Sequence, residues 1–215
     1  WGNYLVRICC WLGYGLMPLG AHKVALFGVA GVSTGGDVVL LSSQTASDSS
    51  SLDFTSGIDS TYGEYIFKFY NINVATDAAR FVFQVNATDD PGGDYDQSLI
   101  TSTDFYSQHA EDNSVTAFAY DTASDQAQGA NFEQLVRDCG NGSDESAAGE
   151  LHLFNPSSTT YVKHFYAVSQ TNRHDDRSIQ RHHAGYINDT TAIDDIRFKA
   201  STGNFDGTIK MWGVK

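Results

Sequence analysis

The sequence has few of the residues that build disulfide-stapled folds, zinc sites and helix bundles. Only three cysteines and three prolines occur in 215 residues; Cys9 and Cys10 are adjacent, and Cys139 stands alone. This spacing fits neither a disulfide framework nor a zinc site. Blocks of Ala, Glu, Lys and Leu, which fill amphipathic helices, are also scarce. The fold must therefore rest on its core, which a chain of this length can build as a single domain.

Positive charge is scarce as well. Thirteen Lys and Arg residues stand against 26 Asp and Glu residues, so the formal net charge is −13. This imbalance argues against broad contact with nucleic-acid phosphates or anionic membranes. The apolar run at residues 1–16 is short and contains Arg7, which argues against a membrane span. We predict neither nucleic acid nor a membrane as a partner.

Motifs that carry chemistry are missing too. The sequence has no G-x-S-x-G nucleophile elbow, no P-loop, no dinucleotide fingerprint after a strand and no H-E-x-x-H. Asp194 and Asp195 suggest a glycosidase pair, but neighbours in a strand point to opposite faces and cannot flank one bond. We predict a protein that is not an enzyme, with no catalytic residues, no cofactor and no metal.

The sequence is rich in residues that favour β-strands. It has 13 Phe and 11 Tyr, and from Val38 onward short strand-like runs are separated by turn residues at a spacing typical of a sandwich or jelly roll. In residues 64–72 the alternation places Tyr65, Phe67 and Phe69 on one face, which we predict to be the core face. One helix is predicted near residues 124–136. The predicted class is all-β: an antiparallel, jelly-roll-like β-sandwich.

The predicted domain boundaries separate a short arm from this sandwich. Residues 24–37 hold too many glycines for a stable helix, so residues 1–37 are predicted to be a flexible Gly-rich N-terminal arm. Residues 1–16 match no later pattern, and we predict that Met17 is the true start. Residues 38–215 are predicted to form a single β-sandwich domain.

The stretch GELHLFNPSSTTYVKHF, residues 149–165, holds two histidines in strand-like text. Asn155 to Ser158 predict a β-turn, which would pair Phe154 with Thr159 and Glu150 with Lys163. In that register His152 and His164 face apart and cannot share a metal, and Leu151, Leu153 and Val162 are buried. A connection that shifts the pairing by one residue would place both histidines on one face of the sheet. The two histidines would then be candidates to bind one metal ion.

Two charged segments are further candidates. RHDDRSIQRHH, residues 173–183, could bind an anionic ligand or titrate near neutral pH; the favoured interpretation is a solvated cluster that balances acidic surface or meets an acidic partner. Its Arg173, Arg177 and Arg181 are predicted as ligand or partner contacts. DDPGGDYD, residues 89–96, has the carboxylates that calcium requires but not the EF-hand spacing, and an acidic hairpin tip is favoured.

Three long stretches carry a resemblance to a known group of proteins: LLSSQTASDSSSLDFTSGIDSTYGEYIFKFYNI, GELHLFNPSSTTYVKHF and AGYINDTTAIDDIRFKASTGNFDGTIKMWGV. From about Asp37 to Val214 the chain resembles a set of uncharacterised virion structural proteins encoded by marine tailed bacteriophages. The resemblance implies a location in the virion and a non-enzymatic role as a capsid decoration, head fibre or tail-associated fibre or knob. The implied partners are other virion proteins and further copies of the chain.

A second hypothesis belongs to another functional class. A β-sandwich of this kind could be a carbohydrate-binding module that recognises glycans on the host surface. Such a module exposes aromatic rings to stack on sugars beside acidic or amide groups. The candidate contacts in this sequence are Tyr62, Tyr95, Tyr106 and Trp212.

Overall fold

The computed structural model describes residues 37–90, 93, 95 and 97–215. The predictions for residues 1–36, including the Gly-rich arm and the start at Met17, lie outside these residues. Asp37 to Lys215 form one compact unit. Within the described ranges no helix has the length and apolar character to cross a bilayer.

The described residues form strands and no α-helix, so the all-β prediction is confirmed. The strands are β1 Val38–Ser49, β2 Leu52–Phe54, β3 Glu64–Val74, β4 Ala79–Ala87, β5 Ile100–Ala110, β6 Thr116–Tyr120, β7 Ala127–Gly129, β8 Glu133–Cys139, β9 Ala147–Phe154, β10 Lys163–Arg173, β11 Arg177–Ile187, β12 Ile193–Ala200 and β13 Phe205–Val214. The helix predicted near residues 124–136 is wrong, because β7 and most of β8 occupy that segment and tertiary pairing overrides its helix propensity.

All strand pairs are antiparallel and belong to one sheet that nearly closes into a barrel. The order is β1-β13-β3-β9-β10-β8-β4-β12-β2; β11 joins β10 to β5, and β6 and β7 pair with β5. Strands β1 and β2 stand at the two ends of this order. They meet where Gln44 Nε2 donates to the Asp53 carbonyl at 2.8 Å.

Phenylalanines fill the interior between β3 and β10 on one side and β4 and β12 on the other. Tyr65, Phe67 and Phe69 are fully buried, which confirms the core face predicted from their alternation. Phe69 meets Phe81 with ring centroids 5.5 Å apart, and Phe67 meets Phe198 at 5.4 Å. Such aromatic pairs add about 0.5–1.5 kcal/mol beyond the burial of their area.

The hairpin register predicted for residues 149–165 is wrong. The turn does form, since the Ser158 N–H donates to the Asn155 carbonyl at 3.0 Å, but the chain then continues as a loop to Val162. Leu153 pairs with Phe165, which shifts the register by five residues from the predicted one. Lys163 explains the longer loop, because its buried ammonium donates to backbone carbonyls of residues 189 and 191 instead of meeting Glu150.

Because the shift is an odd number of residues, it also changes which faces of the sheet the two histidines occupy. His152 pairs with Tyr166, two residues from His164, so both histidines lie on the face opposite the core. Leu151 and Leu153 are buried as predicted, and Val162 is half-buried. Although the histidines share a face, no group of three or more His, Cys, Asp or Glu that could hold a metal occurs among the described residues.

Candidate functional site

The face of the sheet that points away from the core, here called the outer face, carries three rows of side chains across the strands. Each row follows the strand register, so its members are direct cross-strand neighbours. The apolar row is Leu40, Trp212, Ile66, His152, Tyr166, Ala184 and Thr103. The central row is Lys210, Lys68, Glu150, Val168, His182, Phe105 and Tyr120. The amide row is Ala148, Gln170, Gln180, Ser107 and Phe118.

His152 links the apolar row to the central row. Its ring stacks on Tyr166 with centroids 4.3 Å apart, Nδ1 lies 2.5 Å from Glu64 Oε1, and Nε2 lies 3.3 Å from Glu150 Oε1. Burial raises the pKa of Glu150, but hydrogen bonds from His152 and Lys68 outweigh burial and lower it. Glu150 therefore remains a carboxylate at neutral pH and can accept hydrogen bonds from a ligand.

A shallow groove of about 390 Å³ lies between the central row and the amide row. Lys68 and Glu150 line one side, with Nζ and Oε2 3.2 Å apart, and Gln170 and Gln180 line the other. Tyr70 also lines the groove and is exposed. Ammonium, carboxylate and amide groups beside an aromatic ring are the groups that bind hydroxyl-rich ligands.

A second groove, of about 720 Å³, lies at the loop of residues 155–162. Ser157, Ser158 and Thr160 contribute hydroxyls, His164 forms part of the wall, and Tyr161 is 74% exposed. The groove has hydroxyl donors and acceptors, but its described lining residues include no carboxylate or ammonium group. The groove on the outer face is therefore the chemically richer of the two.

The four aromatic residues predicted to contact a ligand lie apart from one another. Tyr95 is only 3% exposed, and the guanidinium of Arg197 covers its ring at 4.3 Å. Burial also raises the pKa of Tyr95 to about 12. Tyr62 is half-buried and meets Tyr65 edge to face at 5.9 Å. Tyr106 lies beside Arg181, and only Trp212 belongs to the outer face.

The predicted cluster of arginines in residues 173–183 is split between surface and interior. Arg173 and Arg177 are half-buried and both bind Asp175. Arg173 Nη1 lies 2.9 Å and Arg177 Nε 3.2 Å from Asp175 Oδ2. Arg181 is only 2% exposed and binds Asp104 and Asp121 inside the protein. The interpretation of the segment as a solvated cluster is therefore wrong for Arg181, because alternate residues of β11 point inward.

Arg181 is part of a polar cluster in the interior, between β5, β8 and β11. His183 Nδ1 lies 3.8 Å from both Asp104 Oδ2 and Glu133 Oε1. Glu133 Oε2 accepts from Ser102 Oγ at 3.1 Å and from Gln126 Nε2 at 2.8 Å. These strands are thus joined by hydrogen bonds and ion pairs where the rest of the interior uses aromatic rings.

Burial shifts the pKa values in this interior cluster. Burial raises the pKa of Glu133 to about 7 and that of Asp104 above its ordinary range. Burial and the neighbouring Arg181 lower the pKa of His183 to about 3. Shifted carboxyl and imidazole groups are typical of acid-base sites, but Asp104, Glu133 and His183 are at most 2% exposed, so a substrate does not reach them.

The acidic loop of residues 89–96 is described only in part. Asp94 and Asp96 lie outside the described residues, so the acidic hairpin tip stays a prediction. Asp89 accepts a hydrogen bond from Thr191 Oγ1 at 3.0 Å. Asp90 accepts one from the Ala87 N–H at 3.2 Å, as in an ordinary capped turn.

Sequence reasoning missed most of the outer face. The alternation in β3 places Lys68 and Tyr70 opposite the core residues, but nothing local shows that Glu150, Gln180 and Phe105 join them. A useful signal would have been the outward aromatic in strand-like runs such as TDFYS. No known protein family, no curated protein and no solved structure matches this chain.

Proposed function

We propose that this chain is a non-enzymatic structural component of a tailed phage virion, as a capsid decoration, head fibre or tail-associated fibre or knob. Support comes from the resemblance over Asp37 to Val214 and from large apolar side chains that are exposed on several strands. The observation that carries the proposal is at β1, at one end of the strand order, where Val38 is 50% and Leu40 46% exposed. Exposed apolar side chains on a terminal strand favour contact with another subunit.

Mass spectrometry and antibody labelling of purified particles of the encoding phage test this proposal. The expected result is a fixed copy number of the chain at one place on the particle. Its absence from purified particles would overturn a virion role. Self-association is tested separately: light scattering of the purified chain should show an oligomer that Leu40→Lys weakens, while Thr103→Lys, on the same face away from β1, leaves it unchanged.

A second function, recognition of a host-surface glycan, is favoured by the outer face. Tyr70, Phe105 and Tyr166 are exposed on the same face of the sheet as Glu150 and Lys68, a combination that suits the apolar faces and hydroxyls of sugars. A glycan array and a pull-down with host lipopolysaccharide test this function. Saturable binding weakened by Tyr70→Ala would support it, and the absence of binding to any glycan would refute it.

We also propose that the strands form a jelly-roll-like sandwich and that the chain is not an enzyme. Burial of Asp104, Glu133 and His183 supports a structural role for the interior cluster, because hydrolysis needs carboxyl groups that reach the substrate. Incubation of the purified chain with host polysaccharides should release no reducing ends. Release that Glu133→Gln abolishes would instead establish a glycosidase.

A further inference from the structure

The central row crosses the strands without interruption from β13 to β6. Its register pairs run from Lys210 to Lys68, Glu150, Val168, His182, Phe105 and Tyr120. Neighbouring strands are about 4.8 Å apart, so the six steps span roughly 29 Å. A row of this length can contact several units of a linear polymer, whereas a single sugar would cover only one part of it.

One end of the central row is aromatic: Phe105 and Tyr120 belong to the row, and Phe118 of the amide row lies next to them. Phe118 is 75% exposed, and its ring meets Phe105 at 5.7 Å. Phe105 in turn stacks on His182 at 5.0 Å with an interplanar angle of 6°. The Tyr120 hydroxyl donates to Asp125 at 2.7 Å, which orients its ring. These neighbours fix the rings before binding, which reduces the entropy that a ligand must overcome.

The other end of the row is polar and borders the 390 Å³ groove. Lys68 supplies N–H donors and Glu150 supplies acceptors, and the amides of Gln170 and Gln180 face them across the groove. Ala148 between them is exposed and small, which leaves the groove open. Charge at this end is balanced, because the two lysines, Lys68 and Lys210, lie beside two carboxylates, Glu150 and Glu64.

We propose that the central row binds a linear, neutral oligosaccharide that lies across the strands. The aromatic end stacks on the apolar faces of sugar rings, and the polar end binds hydroxyls through Lys68, Glu150 and the two glutamines. A neutral chain fits better than a polyanionic one, since the protein carries a net charge of −13. This inference rests on the glycan-recognition function proposed above.

Calorimetry with neutral linear oligosaccharides, from a disaccharide to an octasaccharide of glucose or mannose, tests the inference. Affinity should rise with chain length until the row is filled. Phe118→Ala and Tyr120→Ala should each weaken binding of the longest chain by about threefold to tenfold. Tyr161→Ala is the matched control, because Tyr161 is as exposed as Phe118 but lies on the 155–162 loop, and it should leave binding unchanged.

The outcomes separate this inference from the general glycan function. Binding that does not depend on chain length would overturn the extended site while glycan recognition stands. Loss of binding in Tyr161→Ala, with Phe118→Ala unaffected, would place the site at the loop and overturn the central row. Preference for an oligouronate over the neutral chain of equal length would overturn the neutral ligand. No binding to any chain in calorimetry or on an array would refute both proposals. Circular dichroism of each variant verifies the fold.

Discussion

Replacement of Glu133 by Gln should stabilise the protein in alkaline solution and leave it unchanged in acid. The Glu133 side chain is fully buried, and burial raises its pKa from the ordinary 4.5 to about 7. Between these values the folded state holds a proton that the unfolded state releases. The stability contributed by Glu133 is therefore complete below pH 4.5 and falls as the pH rises towards 7.

The size of the effect follows from the two pKa values. The difference between about 7 and 4.5 corresponds to roughly 3 kcal/mol at a pH above both values. A glutamine in the same place stays neutral at every pH, and its carbonyl can still accept from Ser102 and Gln126. Glu133→Gln should thus be more stable than the wild type by up to roughly 3 kcal/mol at pH 8, with little difference at pH 4.

Urea unfolding at both pH values measures this effect. Asp104 and His183 also titrate abnormally, so the quantity to compare is the difference between variant and wild type, from which their contributions largely cancel. Glu111→Gln is the control, since Glu111 is exposed, and it should change stability by less than about 0.5 kcal/mol. An equal difference at pH 4 and pH 8 would show that the buried carboxyl group does not gain a proton on folding, and the argument would fail.

Three further substitutions test other contacts by urea unfolding. Arg181→Met should lower the free energy of unfolding by about 3–5 kcal/mol, because it leaves Asp104 without its buried partner, while Asp121 keeps Arg137. Adding Asp104→Asn should restore part of the loss, and no restoration would contradict the pairing. Gly149→Ala should lower the free energy of unfolding by about 1–3 kcal/mol, because the alanine Cβ would lie 2.4 Å from the Val168 carbonyl oxygen. An unchanged urea midpoint would refute this close approach. Arg197→Lys should lower the free energy of unfolding by about 1 kcal/mol, because lysine cannot bind both Asp53 oxygens at once. Arg80→Lys is its control, because Arg80 has no such pair among the described residues.

The sequence alone was sufficient to predict which residues form the core, but it was insufficient to predict the pairing register of β9 and β10. Alternation is a local property, so Tyr65, Phe67 and Phe69 could be assigned to the interior without knowledge of their neighbours. The hairpin after Phe154 depends on where Lys163 finds its carbonyl partners, some 26–28 residues further along the chain. No local pattern contains that contact, and the predicted register was wrong by five residues as a result.

The candidate site was harder to predict for the same physical reason. The central row takes one residue from each of seven strands, and only the full set of pairings places Phe105 in the same row as Glu150. Arg181 misled sequence reasoning in another way, because a charged residue in a charged segment usually faces solvent. Its burial depends on Asp104 and Asp121, which lie 77 and 60 residues away in the sequence.

The pairing of β1 with β13 has a mechanical consequence. Val38 pairs with Val214, and the Lys215 N–H donates to the Asp37 carbonyl at 2.9 Å, so the two ends of the described unit leave the sheet side by side. A pulling force applied through residues 37 and 215 would break the backbone hydrogen bonds between β1 and β13 one after another. We expect the unit to yield at low force under this geometry.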